Sequence, residues 1–468
     1  MRRITLLGAV AWLALAPAGG AQAQTLEEIL AQTYSTNAQL LAQRAALRAT
    51  DEGVPRALSN WRPVVTLSGE IGKARDLIRE DNIPGTFGQN RTPQIATLTV
   101  RQPLYRGGRT LAETSRAEHL VQQGRAQLVV TEQSVLLDAV TAYANLLREQ
   151  ATLDLAINNV QVLQRQLDAA RDRFQVGEIT RTDVSQAEAR LAQARANRIQ
   201  AEGNLTAARA NFLRVVGTQP GRLSPPRIIA PLPGTEEEAL ALAAQNPAVV
   251  ASRFSERSAH DDVDLIEGEF LPTLNLEGSL ARQDEIQTEG LERDIGEIVA
   301  VVNVPLYQAG SVAARVREAK HVLGQRRIQT EDTLRRARED ITRTWEALAT
   351  SRAAITAIQA QIRAAEIALE GVQQEARVGA RTVLDVLDAE QELLNARVSL
   401  VQSQRDEIVA GYQLAAAVGR LTAQALRLPV EVYDPTVNYN ETRGKWWSTG
   451  VAADDLPPAQ ATTPLSPR

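Results

Sequence analysis

The side chains with most to offer chemically lie in one short run, Gly379-Ala380-Arg381-Thr382-Val383-Leu384-Asp385-Val386-Leu387-Asp388. Asp385 and Asp388 are three residues apart, a spacing that turns both carboxylates to one face of a helix, where paired acids attract cations. Thr382-x-x-Asp385 is also a capping box, as is Thr180-x-x-Asp183 upstream, so Asp385 and Asp183 each have a structural reason to be acidic. Asp388 has no such reason in the sequence, which leaves two readings of the run: a cation-attracting constriction, or an ordinary solvated helix start. Catalysis finds no foothold, because no G-x-x-x-x-G-K, H-E-x-x-H or G-x-S-x-G pattern occurs. Zero cysteines exclude disulfides, thiolate metal sites and a Cys nucleophile, and only His119, His260 and His321 remain for metal or base chemistry. His119 and His321 are repeat mates and read as helix-surface residues rather than a shared metal site. The expectation is a protein that is not an enzyme, with no cofactor and no metal.

The chain of 468 residues is 44% hydrophobic, 23% charged and only 4% aromatic. Its 51 Lys plus Arg against 56 Asp plus Glu give a formal charge of −5, opposite in sign to a nucleic-acid footprint, so no nucleic-acid partner is expected. Arg2 and Arg3, the apolar run Ile4 to Leu15 and the small residues of Ala21-Gln22-Ala23 read as a signal peptide over 1–23, which implies export. Beyond Ala23 no apolar stretch is long enough for a membrane helix, so insertion would have to use strands.

The elements that must position the acidic run are written twice. Pro103-Leu104-Tyr105 recurs as Pro305-Leu306-Tyr307, Val176-Gly177 as Val378-Gly379 and Asp183-Val184 as Asp385-Val386, all at an offset of 202 residues. Upstream, Asn37, Pro63 and Gly69 recur as Asn246, Pro272 and Gly278 at an offset of 209. The repeats are expected over 24–227 and 228–430, followed by a C-terminal segment, 431–468, with a disordered Pro-rich tail. Leu104 to Gln219 contains no proline, and neither does Leu306 to Leu428, so each copy predicts a long helical hairpin folded at Val176-Gly177 or Val378-Gly379. The return helices carry a 3.5-residue seam, beginning Val184, Ala187, Leu191, Ala194 in one copy and Val386, Ala389, Leu393, Ala396 in the other.

Before each long helix lie two alternating stretches. Val65, Leu67, Gly69 and Ile71 alternate with Thr66, Ser68 and Glu70; Ala96, Leu98 and Val100 with Thr97, Thr99 and Arg101; and the second copy keeps the phase around Leu274, Leu276, Leu280, Ile298, Ala300 and Val302. Four strands of about ten residues match a membrane crossing but cannot close a barrel, so other chains must complete it; three protomers would supply twelve strands. Trp61, Tyr105, Phe270 and Tyr307 fall where strand meets helix, as membrane-interface aromatics would. The loops at the other ends, 73–93 and 281–294, are polar and charged and belong in water. A soluble periplasmic coiled-coil scaffold capped by a small sheet is the competing reading.

Taken together, the turns RFQVGEITRTDV and ARVGARTVLDVLDAEQELLNAR, the duplication and the PLY before each long helix resemble the TolC-like family of outer-membrane exit ducts. The resemblance implies a mainly α fold with a small β part: duplicated long-helix hairpins form an α-helical barrel in the periplasm. This is topped by a transmembrane β-barrel in outer-membrane lipid, shared by a homotrimer with four strands from each protomer. It implies a passive duct serving an inner-membrane ABC or proton-driven transporter through a periplasmic adaptor (membrane-fusion) protein. By the same resemblance, Asp385 and Asp388 are constriction acids, Arg381 is a gate arginine with neighbouring partners Thr182 and Asp183, and the Val176-Gly177 and Val378-Gly379 turns face the adaptor. One departure is Ala376, where a member of the family carries a tyrosine bonded to the acid matching Asp183. The C-terminal Tyr433-Asp434-Pro435 and Trp446-Trp447 resemble the type I protein-secretion branch; small-molecule efflux through the same fold is the alternative.

Overall fold

The computed structural model describes residues 24–79 and 86–451. The leader expected over 1–23, Glu80 and Asp81 of the first polar loop, and the tail from 452 lie outside the described residues. Helices α1 (Leu26–Thr36), α2 (Ala38–Asp51) and α3 (Gly53–Leu58) lead into β1 (Val64–Ile71), β2 (Ala74–Arg79), β3 (Thr86–Arg91) and β4 (Gln94–Arg106). The hairpin α4 (Arg109–Gln175) and α5 (Arg181–Val216) follows. The order then recurs as α6 (Glu236–Ala241), α7 (Pro247–Glu267), β5 (Thr273–Asp284), β6 (Glu292–Asn303), α8 (Ser311–Arg377) and α9 (Val383–Ala417), with α10 (Val437–Thr442) in the C-terminal segment.

Helices α4 and α8 each run for 67 residues, as their proline-free blocks require. Both end in the same way. Gly177 and Gly379 adopt φ of 81° and 77°, in the left-handed region. Their N–H groups bond back to Phe174 and Ala376, and those of Glu178 and Ala380 to Arg173 and Glu375, satisfying the last helical carbonyls. Four residues later a new helix starts in each copy.

The chain divides into two compact units, each drawing on both copies of the repeat. Among the described residues, one comprises 24–36, 138–229 and 351–409; the other comprises 37–79, 86–137, 230–350 and 410–451. In the first, Leu163, Leu167 and Ala170 of α4 pack with Ala187, Leu191 and Ala194 of α5 and Leu387 of α9, so the predicted seam is a buried stripe. In the second, the sheet runs in the order β1-β4-β5-β6, antiparallel throughout. The loop 73–93 holds an additional two-stranded ribbon, β2 with β3, that its polar sequence did not announce.

A close approach fixes the junction between strand and helix. Gly107 has φ of 66°, and a Cβ there would collide with the Gly268 carbonyl and reach 2.9 Å from Leu271 Cβ. Gly107→Ala is therefore expected to destabilise the fold by about 1–3 kcal/mol from backbone strain alone. A thermal melt of the purified protein checks this, with Gly53→Ala, which has open space around it, as the control.

Candidate functional site

Directly opposed residues of an antiparallel sheet share a face, so the register sorts the side chains. Leu67, Leu98 and Leu280 stand opposite one another in sequence across β1, β4 and β5, and Val65, Val100, Gly278 and Ile298 form the next row across all four strands. Toward the helices the same face continues with Leu276 and Ala300, then Leu274 and Val302. This face is apolar and open: Leu67, Leu280 and Ile298 are 75%, 63% and 79% exposed. The opposite face carries Thr66, Thr99, Ser279 and Glu297 in one row, and in another Arg101, whose Nε donates to Glu277 Oε1 at 2.8 Å. One side of the sheet suits hydrocarbon and the other suits water, the division required of a strand that walls an aqueous channel in a membrane.

Strands β1 and β6 are the sheet edges. Edge position also explains why the two PLY motifs differ. Pro103 lies in β4 at a register shift, beyond the end of its pairing with β1, where the missing N–H costs no bond to that neighbour. Pro305 lies two residues beyond the end of β6, where Leu306 and Tyr307 are 92% and 86% exposed. Trp61, Tyr105 and Phe270 are also exposed, and with Tyr307 they stand at the helix-side ends of the strands.

The turns of the helical hairpins hold the second group of candidate residues. Thr180 and Asp183 form the expected capping box: the Thr180 N–H donates to Asp183 Oδ2 at 2.9 Å, and the Asp183 N–H to Thr180 Oγ1 at 3.4 Å. Thr382 and Asp385 repeat it at 2.9 and 3.2 Å. The Thr382 N–H and then its hydroxyl, with nearby Arg381, hold the Asp385 carboxyl below the usual carboxylate range. Arg381 Nε donates to Glu375 Oε2 at 2.8 Å, a partner outside the set read from the sequence. Glu375, and beyond it Asp385, keep the guanidinium still more firmly protonated. Asp388 also has a partner that sequence reasoning missed: Arg190 of α5 donates to its Oδ1 at 2.7 Å.

A signal for both missed partners exists in the repeat. Glu375 replaces Arg173 of the first copy, and Arg381 replaces Ile179, so one opposite-charge pair arises in the second copy alone. Arg190 similarly has Glu392 as its mate. Ala376 lines a cavity of about 230 Å³ with Ala170, Gln373, Val383 and Val386. Thr182, Val176 and Val378 are exposed; Val176 and Val378 stand at the two glycine turns with no apolar cover.

His321 is exposed as expected, whereas His119 is half-buried: its Nδ1 lies 2.6 Å from Asp261 Oδ2, and Ser115 donates to the other oxygen at 3.0 Å. Among the described residues His260, Asp261 and Asp264 are close enough to share a cation, but both Asp261 oxygens are already engaged in this way. Among the described residues no helix is long and apolar enough to cross a membrane.

The model of the family described as outer membrane efflux protein matches residues 29–218 and 240–420. The chain belongs to the outer membrane efflux protein family. Membership places it in the outer membrane, among channel proteins rather than enzymes. The outer membrane efflux protein BepC of Brucella suis is 35% identical, with 91% of this chain and 92% of that protein covered. The proteases secretion protein PrtF of Dickeya chrysanthemi is 28% identical over 87% and 90%. The Campylobacter jejuni CmeC outer membrane channel has the same fold, with a TM-score of 0.75 at 15% identity over 95% of this chain and 98% of that one. The family fold is mostly helical with a small strand part, and in a single chain its barrel is not closed.

Proposed function

We propose that three copies of the chain assemble into a passive exit duct through the outer membrane, taking cargo from an inner-membrane transporter through a periplasmic adaptor. The observation that carries this reading is a four-stranded sheet with one apolar face, one polar face and two unpaired edges. Unpaired edges cannot face hydrocarbon, and four strands fall short of the eight in the smallest closed barrels, whereas β6 of one copy joined to β1 of the next closes twelve. The chain has no cysteine of its own, so paired cysteines placed on β1 and β6 report this contact cleanly. Oxidation should give covalent trimers on a denaturing gel; intramolecular or no cross-links across all registers would overturn the assembly.

For the cargo, the reading is type I protein secretion, supported by the likeness to PrtF and by the C-terminal Trp446-Trp447 segment. Small-molecule efflux is the second reading, favoured by the likeness to BepC. Deleting the gene in its own host separates them: loss of exported protein from the medium with unchanged drug sensitivity supports secretion, and the opposite pattern supports efflux.

The reading assigns the throat to Asp385 and Asp388, with Arg381, Thr182 and Asp183 as its gate and the Val176-Gly177 and Val378-Gly379 turns as the adaptor-facing surface. Within one chain Arg190 compensates Asp388, so Asp385 carries more of the cation preference. Two substitutions are then expected to act in opposite directions. Asp388→Asn leaves the Arg190 charge uncompensated and lowers cation preference, while Arg190→Ala raises it. Reversal potentials under a salt gradient check the signs.

The lowered Asp385 pKa adds a pH dependence. An acid with a folded pKa below its ordinary value contributes above the ordinary carboxylate range and is lost only as pH falls through the lowered value. Cation preference should therefore persist at pH values where an ordinary Asp, about pKa 3.9, is already half protonated. Thr382→Val removes a hydroxyl donor to Asp385 and should move the loss to higher pH.

A further inference from the structure

Strand ends explain four exposed aromatics, but the largest exposed aromatic pair lies elsewhere in the chain. Trp446 and Trp447 are 59% and 91% exposed, at the end of a segment that is otherwise well fastened. Tyr439 packs on the cluster of Val54, Ala57, Ala117 and Val121, Asn438 donates to the buried Asp51 at 2.7 Å, and Arg443 donates to Glu118 at 3.0 Å. The segment is thus carried along helices α2, α3 and α4 and delivered to one place. There Arg62 Nη1 donates to the Lys445 carbonyl at 2.8 Å, and its guanidinium carbon lies 4.7 Å from the centre of the Trp446 ring.

Arg62 follows Trp61 and stands two residues before Val64, the first residue of the lipid-suited strand β1. Two indoles, the exposed Lys445 and Arg62 therefore gather immediately beneath the start of β1, whose Val65, on the apolar face, is 62% exposed. Indole rings prefer the boundary between hydrocarbon and water, where the ring body is dehydrated and the N–H finds a polar partner, and cationic side chains there meet phosphate.

We propose that Trp446 and Trp447, held by Arg62 and flanked by Lys445, form a second membrane anchor that inserts into the phospholipid headgroup layer on the helix side of the outer membrane. The anchor is separate from the strands and comes from a different part of the chain, so each protomer grips the bilayer beside its edge strand β1 as well as through its sheet. The occupant is lipid rather than a protein partner because Arg62, which holds Trp446, lies two residues before β1 and, with Lys445, brings basic groups to the helix-side end of that strand, where phosphates lie.

Tryptophan fluorescence of the full-length protein in phospholipid vesicles tests this, with wild type compared against Trp446→Phe/Trp447→Phe. The emission lost in the variant should be blue-shifted in vesicles, and lipids brominated near the carboxyl end of the acyl chain should quench about half of it or more, as an interfacial location requires. A difference component that emits as in water and is not quenched would overturn the anchor. A second measurement uses the unaltered protein: a phospholipid carrying a photoreactive headgroup should label the peptide Gly444 to Val451. Labelling confined to strand peptides, or a pair that becomes dehydrated only when a periplasmic adaptor is added, would instead assign the surface to the sheet alone or to a protein partner.

Discussion

Replacing Arg381 with Ser should raise the single-channel conductance several-fold. Within one chain Arg381 is held by Glu375, six residues upstream on the other side of the glycine turn, at 2.8 Å. The proposed gate asks it to act also on Thr182 and Asp183, but Asp183 Oδ2 already accepts from the Thr180 backbone and hydroxyl. The position of the missing tyrosine is Ala376, beside a cavity of about 230 Å³, so no aromatic hydroxyl helps close the turn region. On the proposed gate Arg381 is the positive group that acts on Asp385, while Arg190 holds Asp388, and loss of Arg381 both frees Glu375 and leaves Asp385 to repel its symmetry mates. Arg381→Lys should restore part of the closure, because charge remains while the planar fork is lost. An unchanged conductance in the Ser variant would remove Arg381 from the gate.

A larger effect on assembly is expected from Leu67→Arg. Leu67 lies at the middle of β1 in the row with Leu98 and Leu280, on the face assigned to hydrocarbon. Arginine near the bilayer midplane on the outer face of a membrane barrel costs about 2–4 kcal/mol per site. Repeated in every protomer of a trimer, that is a sum of roughly 6–12 kcal/mol, comparable with the whole stability of many proteins. Folded protein recovered from the outer membrane should fall to a small fraction of wild type. The neighbouring Thr66→Arg places the same charge on the polar face, in the row of Thr99, Ser279 and Glu297, and should leave the yield near wild type while shifting ion selectivity. Equal tolerance of both substitutions would mean that the sheet does not divide lipid from water.

Much of this structure could be read before any coordinates because the decisive constraints are periodic or prohibitive. Proline cannot continue a helix, so its absence over Leu104 to Gln219 and Leu306 to Leu428 marked α4 with α5 and α8 with α9, and the glycines between them marked the turns. Alternation over Val65 to Ile71 and its three counterparts likewise marked β1, β4, β5 and β6. The ribbon of β2 with β3 was invisible for the complementary reason: its polar residues carry no alternation, and it is held instead by pairing and by Arg91, which bonds Asp76 at 2.7 Å.

The candidate site was legible in residue types but not in pairings. Both capping boxes followed from local spacing, whereas the partners Arg190 and Glu375 depend on how side chains meet across helices or turns. His119 shows the same limit. Its sequence suits a helix surface, yet α7 brings Asp261 to 2.6 Å and makes it part of a half-buried contact.

Single-channel recording of the purified wild-type protein in a planar bilayer under a salt gradient is the most direct test of the duct. Stepwise insertion of discrete, small, cation-selective conductances is the result that the proposed duct, with its acidic constriction, predicts. A protein that stays in solution without detergent and inserts no conductance would contradict the duct and restore the soluble coiled-coil scaffold.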